Sequence, residues 1–187
     1  VDVKIGVLAL QGDVSEHCAA FLHLGQDVDV KEIRGGTDPE AFDAIVIPGG
    51  ESTTIGRLID KNHMRRPLEE FEGSFFATCA GMVLLATEVD DPRVEPLGII
   101  DMSVERNAFG RQKDSFEADI PILGLPSPFH AIFIRAPVVR SVGPGVEVLG
   151  RIEQGIVAVR QGPHMALSFH PELGGDLRLH RMFLGNI

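Results

Sequence analysis

The sequence predicts an α/β fold of three layers, with a mostly parallel central sheet and antiparallel additions in the C-terminal half. Two observations carry this. Short, near-continuous apolar runs (Val3 to Leu10, Ala44 to Ile47, Ser74 to Ala77) alternate with helical patterns through the first half. Such runs mark strands covered on both faces, and strand–helix alternation marks a parallel sheet. After about Asp90 the pattern changes to strand-like segments separated by turns such as Gly143-Pro144-Gly145, as antiparallel strands read.

In chain order, Gln11-Gly12-Asp13 ends the first run. Asp13 or Ser15 is placed to cap a helix through about Leu24, with Gly25 as its stop. Val14, Cys18, Phe21 and Leu22 share a helical face, which predicts a core role for Cys18 and leaves His17 and His23 in solvent. Val28 to Ile33 alternates as a second strand, and Ala44 to Ile47 is a third, ended by Pro48-Gly49-Gly50. Helices are predicted near Ser52 to Asp60 and Arg65 to Phe71. Beyond Asp90, strands are predicted near residues 102–106, 115–120, 131–135, 146–152, 156–160 and 165–169, with a last helix over Leu177 to Leu184 capped by Asp176. With no linker or repeat, the 187 residues read as one domain.

Composition narrows the partners. The net charge of −10 repels nucleic-acid phosphates and anionic membranes. No apolar run reaches the roughly 20 residues of a spanning helix, and no basic leader is visible at the N-terminus. The two cysteines, Cys18 and Cys79, form no C-x-x-C pair, which disfavours a disulfide scaffold or cysteine metal site and fits a reducing cytoplasm.

Four stretches carry chemistry. In Ser74 to Met82 a strand ends at Cys79 among the small residues Ala77, Ala80 and Gly81, and a helical run follows. This has the mechanics of a nucleophile elbow, where a helix N-terminus favours a thiolate; taken alone it reads equally well as a buried structural cysteine. In Ser168 to Glu172 a strand ends at His170-Pro171-Glu172. Alone this is a surface turn; with Cys79 it completes a nucleophile, a base and an orienting carboxylate. Pro48 to Thr54 exposes backbone N–H groups that suit half of an oxyanion hole, or is a plain capped turn; it lacks the lysine of a phosphate loop. Glu105 to Gln112 and Ile134-Arg135-Ala136-Pro137 supply arginines suited to reading a carboxylate, or surface ion pairs worth little.

Together these stretches resemble, over essentially the whole chain, the glutaminase subunits of pyridoxal 5′-phosphate synthase, which are class I, triad-type glutamine amidotransferases. Thr78-Cys79-Ala80-Gly81 and His170-Pro171-Glu172 are similar to the broad superfamily. Pro48 to Thr54, Glu105 to Gln112, Ser115-Phe116-Glu117 and Phe133 to Pro137 are the more specific motifs. The resemblance implies the flavodoxin-like class I amidotransferase fold, with Cys79 as nucleophile, His170 as base and Glu172 as its orienter. It also implies an oxyanion hole of the Gly50 and Ala80 amides, and L-glutamine held by Gly50, Glu51, Ser52, Arg106, Ile134 and Arg135. Neither a metal nor an organic cofactor is implied. The implied partner is a (β/α)₈-barrel synthase subunit in a large hetero-oligomer, which takes the ammonia and raises a weak resting activity. Gln11 is a candidate contact in that activation. Ala77 stands where the family often has glycine, and the chain ends at Ile187, earlier than typical members, which leaves room for a tail. The alternatives are the glutaminase of another amidotransferase pathway, a cysteine peptidase or hydrolase on a similar sheet, and an inactive regulatory module. The arginine segments weigh against a peptidase, and the intact Cys–His–Glu set weighs against a dead module.

Overall fold

The structure is a computed structural model that describes residues 2–110 and 114–187. Arg111 and Gln112 of the predicted carboxylate reader lie outside the described residues. The first half runs β1 (Val3–Leu8), α1 (Val14–Leu22), β2 (Val28–Ile33), β3 (Ala44–Ile47), α2 (Ser52–Lys61), α3 (Arg65–Glu70), β4 (Ser74–Thr78), α4 (Ala80–Leu85) and β5 (Ala86–Val89). The second half runs β6 (Ile100–Glu105), β7 (Ser115–Ile120), β8 (Phe129–Ile134), β9 (Val138–Val142), β10 (Glu147–Ile152), β11 (Gly155–Gln161), β12 (His164–Leu167) and α5 (Arg178–Leu184). Short 3₁₀ turns lie at Pro39–Ala41 and Pro171–Leu173.

The main sheet has the order β2-β1-β3-β4-β12-β11-β9-β6-β5, with β10 also paired to β11. Strands β2, β1, β3, β4 and β12 are mutually parallel, and β11 turns antiparallel to β12. Two cores explain the continuous apolar runs, because successive side chains point to opposite faces. Ile45, Ile47, Phe75 and Ala77 enter one core with Ile55, Ile59 and Leu68. Ala44, Val46 and Phe76 enter the other with Phe21, Leu179 and Phe183. The sheet is thus the middle of three layers, as the sequence predicts.

Several expectations need correction. The β7–β8 pair is a separate two-stranded sheet, not an addition to the main one; its Phe129 and Phe133 cover the second core. β5 and β9 are unpredicted, because β5 follows α4 without a break and β9 follows Pro137. The buried residues of α1 are His17, Ala20 and Phe21, while Cys18 is half-buried and Leu22 is 56% exposed. The periodic face was therefore read a fraction of a turn off. His17 is wholly buried, whereas His23 is exposed as expected. Asp13 precedes α1 without a side-chain cap bond, because its carboxylate is used elsewhere. Asp176 sits one residue early, and its carboxylate still accepts from Arg178 N at 3.1 Å. Among the described residues no helix is long and apolar enough to cross a membrane.

His180 on α5 is also wholly buried, against Phe21 and Phe76 at 4.9 and 5.2 Å between ring centroids. Burial pushes its pKa down to about 4. Above about pH 6.5 the ring is neutral in both folded and unfolded chains and has no effect. Between about 6.5 and 4 the unfolded chain takes up a proton that the native ring refuses, so stability falls on acidification by about 3 kcal/mol from this group. His180→Phe is expected to flatten that part of the stability–pH curve, measured by urea unfolding between pH 7 and 4.

Candidate active site

The C-terminal ends of adjacent parallel strands are where open α/β sheets gather their ligands. Here β1, β3, β4 and β12 deliver Gln11 to Asp13, Pro48 to Glu51, Cys79, and His170 to Glu172 to one end of the sheet. Cys79 occupies the turn between β4 and α4 with φ 49° and ψ −108°, a left-handed conformation rare outside glycine. Its backbone N–H donates to Leu167 O at 2.8 Å, which ties the elbow to the end of β12. A Cβ on Gly81 would lie 2.1 Å from Ile47 O, so only glycine lets α4 leave this close to β3. Cys79 is buried, 6% exposed, and its sulfur lies 3.6 Å from Ile134 O, toward which a thiol donates.

His170 and Glu172 meet as the spacing predicts. His170 Nδ1 is 2.6 Å from Glu172 Oε1, and the nearby Cys79 side chain also raises the imidazole's pKa. Pro171 opens the 3₁₀ turn that brings the carboxylate back over the ring. A second carboxylate was not foreseen: Asp13 Oδ2 lies 3.0 Å from the same Nδ1. Its signal was its position, just past the end of the first strand. Burial lowers the His170 pKa, but the hydrogen bonds to Asp13, Cys79 and Glu172 outweigh that and raise it to about 12. Burial pushes the Glu172 carboxyl up, against the pull of His170. Asp13, His170 and Glu172 bring three ligand atoms within 4.8 Å, the one such group that could hold a metal among the described residues. Their separations of 2.6 and 3.0 Å are those of direct hydrogen bonds.

The cleft beside the sulfur holds about 420 Å³ and is walled by Gln11, Gly50, Glu51, Ser52, Ala80, Arg106 and Arg135, with Val83, Asn107 and Pro137. Every predicted substrate residue except Ile134 is on this wall; Ile134 contributes its carbonyl to the sulfur instead. Asp13 N donates to Gly49 O at 3.1 Å, which fixes the Gly49–Gly50 peptide. Gln11 Oε1 accepts from Glu51 N at 2.9 Å. Ala80 opens α4, so its N–H has no acceptor within the helix.

Glu51 is more occupied than the sequence suggests. Its carboxylate caps α2, accepting from Thr53 N at 3.2 Å, Thr54 N and Oγ1 at 2.8 Å each, and Thr53 Oγ1. Burial raises its pKa, but these bonds take it down to about 2. Arg106 donates to Glu51 Oε1 at 3.0 Å and is gripped from the other side by Asp91. Asp91 was missed, because nothing in the turn Asp90-Asp91-Pro92 distinguishes it from a loop. Arg135 reaches the cleft from a residue with φ 45°.

A buried Cys–His–carboxylate set beside a cleft lined by arginines suits acyl transfer from a small, charged amide. The model of the SNO glutamine amidotransferase family matches residues 7–187. The chain belongs to that family. It is 65% identical to a pyridoxal 5′-phosphate synthase subunit PdxT of Methanosphaerula palustris, with 98% of this chain and 97% of that protein covered. It is 53% identical to the PdxT of a Mycobacterium species, strain KMS, with 96% and 90% covered. A crystal structure of a glutamine amidotransferase superposes with a TM-score of 0.89 at 48% identity, over 97% of each chain. A putative GMP synthase subunit from Thermoplasma acidophilum shares the fold, with a TM-score of 0.72 at 18% identity.

In this cleft, Asp91 sets where the Arg106 guanidinium points. Asp91→Asn keeps the shape and removes the charge. It is expected to raise KM for glutamine about three- to tenfold with kcat nearly unchanged, as loss of uniform binding does; steady-state kinetics check this.

Proposed function

We propose that this chain is the glutamine-hydrolysing subunit of a pyridoxal 5′-phosphate synthase, working in the cytoplasm, with Cys79, His170 and Glu172 as its catalytic residues. The observation that carries the reading is the His170 ring, held by Glu172 on Nδ1 at 2.6 Å, on the segment that follows β12, to whose end the Cys79 elbow is tied. The 53–65% identity to PdxT proteins over nearly the whole chain supports this pathway over another amidotransferase pathway. Membership of the amidotransferase family weighs against a peptidase.

The Cys79 sulfur attacks the side-chain amide carbon of L-glutamine, its proton residing on His170. Negative charge forms on the amide oxygen, which the N–H groups of Gly50 and Ala80 receive. Removing one such donor costs roughly 10²–10³ in rate. His170 passes its proton to the leaving nitrogen, the C–N bond breaks, and ammonia departs. Water, deprotonated by His170, then attacks the γ-glutamyl thioester and releases glutamate and the free thiol. Glu172, with Asp13 beside it, stabilises the imidazolium and fixes the ring. Gly50, Glu51, Ser52, Arg106, Ile134 and Arg135 hold the amino-acid end. The ammonia passes to a (β/α)₈-barrel synthase subunit, which combines it with ribose 5-phosphate and glyceraldehyde 3-phosphate.

Gln11 is the residue through which docking of that subunit reaches the oxyanion turn, since it holds Glu51 N next to Gly50. Gln11→Ala is expected to keep the resting glutaminase rate and lose most of the stimulation by the synthase subunit. Unchanged stimulation removes Gln11 from the activation path. The catalytic assignment itself is tested by ammonia release from glutamine with the synthase subunit present. Cys79→Ser is expected to lose turnover by at least about 10³-fold, and turnover that persists in it overturns the mechanism.

A further inference from the structure

His17 is a buried titratable group that this mechanism does not use. It lies on α1, wholly buried, with its ring edge-on to Phe76 at 6.1 Å. Its Nε2 is 2.9 Å from Thr78 Oγ1, the side chain immediately before the nucleophile. The same nitrogen is 3.6 Å from Glu172 Oε2, the carboxylate oxygen that His170 does not use. Oε2 has no hydrogen-bond partner among the described residues, and neither does His17 Nδ1.

These contacts choose the tautomer. A proton on Nδ1 would be a buried donor with nothing to donate to, and would turn the Nε2 lone pair toward an anionic oxygen. A proton on Nε2 serves Thr78 and points positive charge density at Oε2. The cation is opposed by burial first, then by His180 and His170, so the ring stays neutral. Unpaired buried charge is costly, and in a dry interior an N–H dipole at this range is felt strongly.

We propose that His17 is a positioning residue of the glutamine-cleaving site, its Nε2–H held between Thr78 and Glu172 so that it fixes the outer oxygen of the carboxylate that orients His170. The inference rests on the Cys79–His170–Glu172 reading and extends that set by one residue on its inner side. Without the N–H, the Glu172 carboxylate is less stabilised in its charged form and is held in orientation by His170 alone. Its protonation on acidification then comes at a higher pH, and the imidazolium of His170 loses its partner sooner.

The test compares wild type, His17→Phe and His17→Gln in the complex with the synthase subunit, by ammonia release across pH 5 to 9. His180 titrates near 4, below this window. His170, Asp13 and Glu172 are common to all three proteins. His17→Phe keeps an aromatic ring and is expected to lose kcat about three- to tenfold, as removal of one N–H dipole beside a buried carboxylate is worth. Its KM is expected within about twofold of wild type and its acid limb at higher pH. His17→Gln can place an N–H where Nε2 was, and is expected to recover most of kcat and the wild-type limb. A wild-type limb in His17→Phe, or equal losses in both variants, overturns the proposal, since packing alone then accounts for the ring. A measurement that needs no variant is the ¹⁵N spectrum of the histidine-labelled wild-type complex at pH 7. The proposal requires neutral His17 protonated on Nε2, and protonation on Nδ1 or on both nitrogens overturns it. Turnover surviving in Cys79→Ser would instead sink the underlying site, so the two failures are told apart.

Discussion

The left-handed elbow at Cys79 is the constraint on which the rest of the site depends. A non-glycine residue at φ 49° is strained and persists only where its surroundings over-determine it. Here they do: the Cys79 amide is bonded to the end of β12, and Gly81 allows the first turn of α4 to touch the last carbonyl of β3. The strand order β3-β4-β12 makes those neighbours inevitable. Once the elbow is closed, the turn that leaves β3 and the turn that leaves β12 must both pass beside the sulfur. One supplies backbone N–H groups and the other supplies His170.

The loops are then tied to one another by polar contacts. Asp13 joins two of them, with its backbone on Gly49 and its carboxylate on His170. Gln11 and Glu51 join the next pair, and Arg106 carries the connection on to Asp91. Each bond is worth only about 1 kcal/mol net. In a partly dry cleft they are coupled, so a displaced Gly49–Gly50 turn would be felt at His170 as well as at the Gly50 amide.

Much of this was legible in the sequence for physical reasons. Strands β1, β3 and β4 were visible because two-sided burial forces unbroken apolar runs, and His170 and Glu172 because proline makes an i, i+2 pair face one way. What failed to show was information held across the sheet. The core face of α1 was misread because Leu22 and Cys18 look like core residues, whereas His17 is buried only because Thr78 and Glu172 wait on the other side. Asp13 looked like a helix cap until the strand end beside it was seen to carry a histidine. Asp91 belongs to the site through Arg106 alone, a partner fifteen residues away. The separate β7–β8 ribbon was missed because strand patterns specify alternation and not which sheet a strand joins.

The state of Glu51 bears on how such a site is switched on. A carboxylate has about four lone-pair positions, and Glu51 already meets Thr53, Thr54 and Arg106 through five donors. A substrate ammonium group placed against it must displace one of them. The cheapest to release is Arg106, which keeps Asp91 as its second anchor and would be freed toward the substrate carboxylate by the same movement. If Glu51 and Arg106 hold the substrate as proposed, binding at this cleft is an exchange of ion pairs with little net charge gained, and selectivity rests on whether one ligand supplies both signs at the right separation. A free amino acid does so; a peptide bonded through its own amine and carboxyl does not. On the proposed reading of Glu51 and Arg106 as substrate contacts, the resting ion pair holds these two groups on one another until a zwitterion separates them.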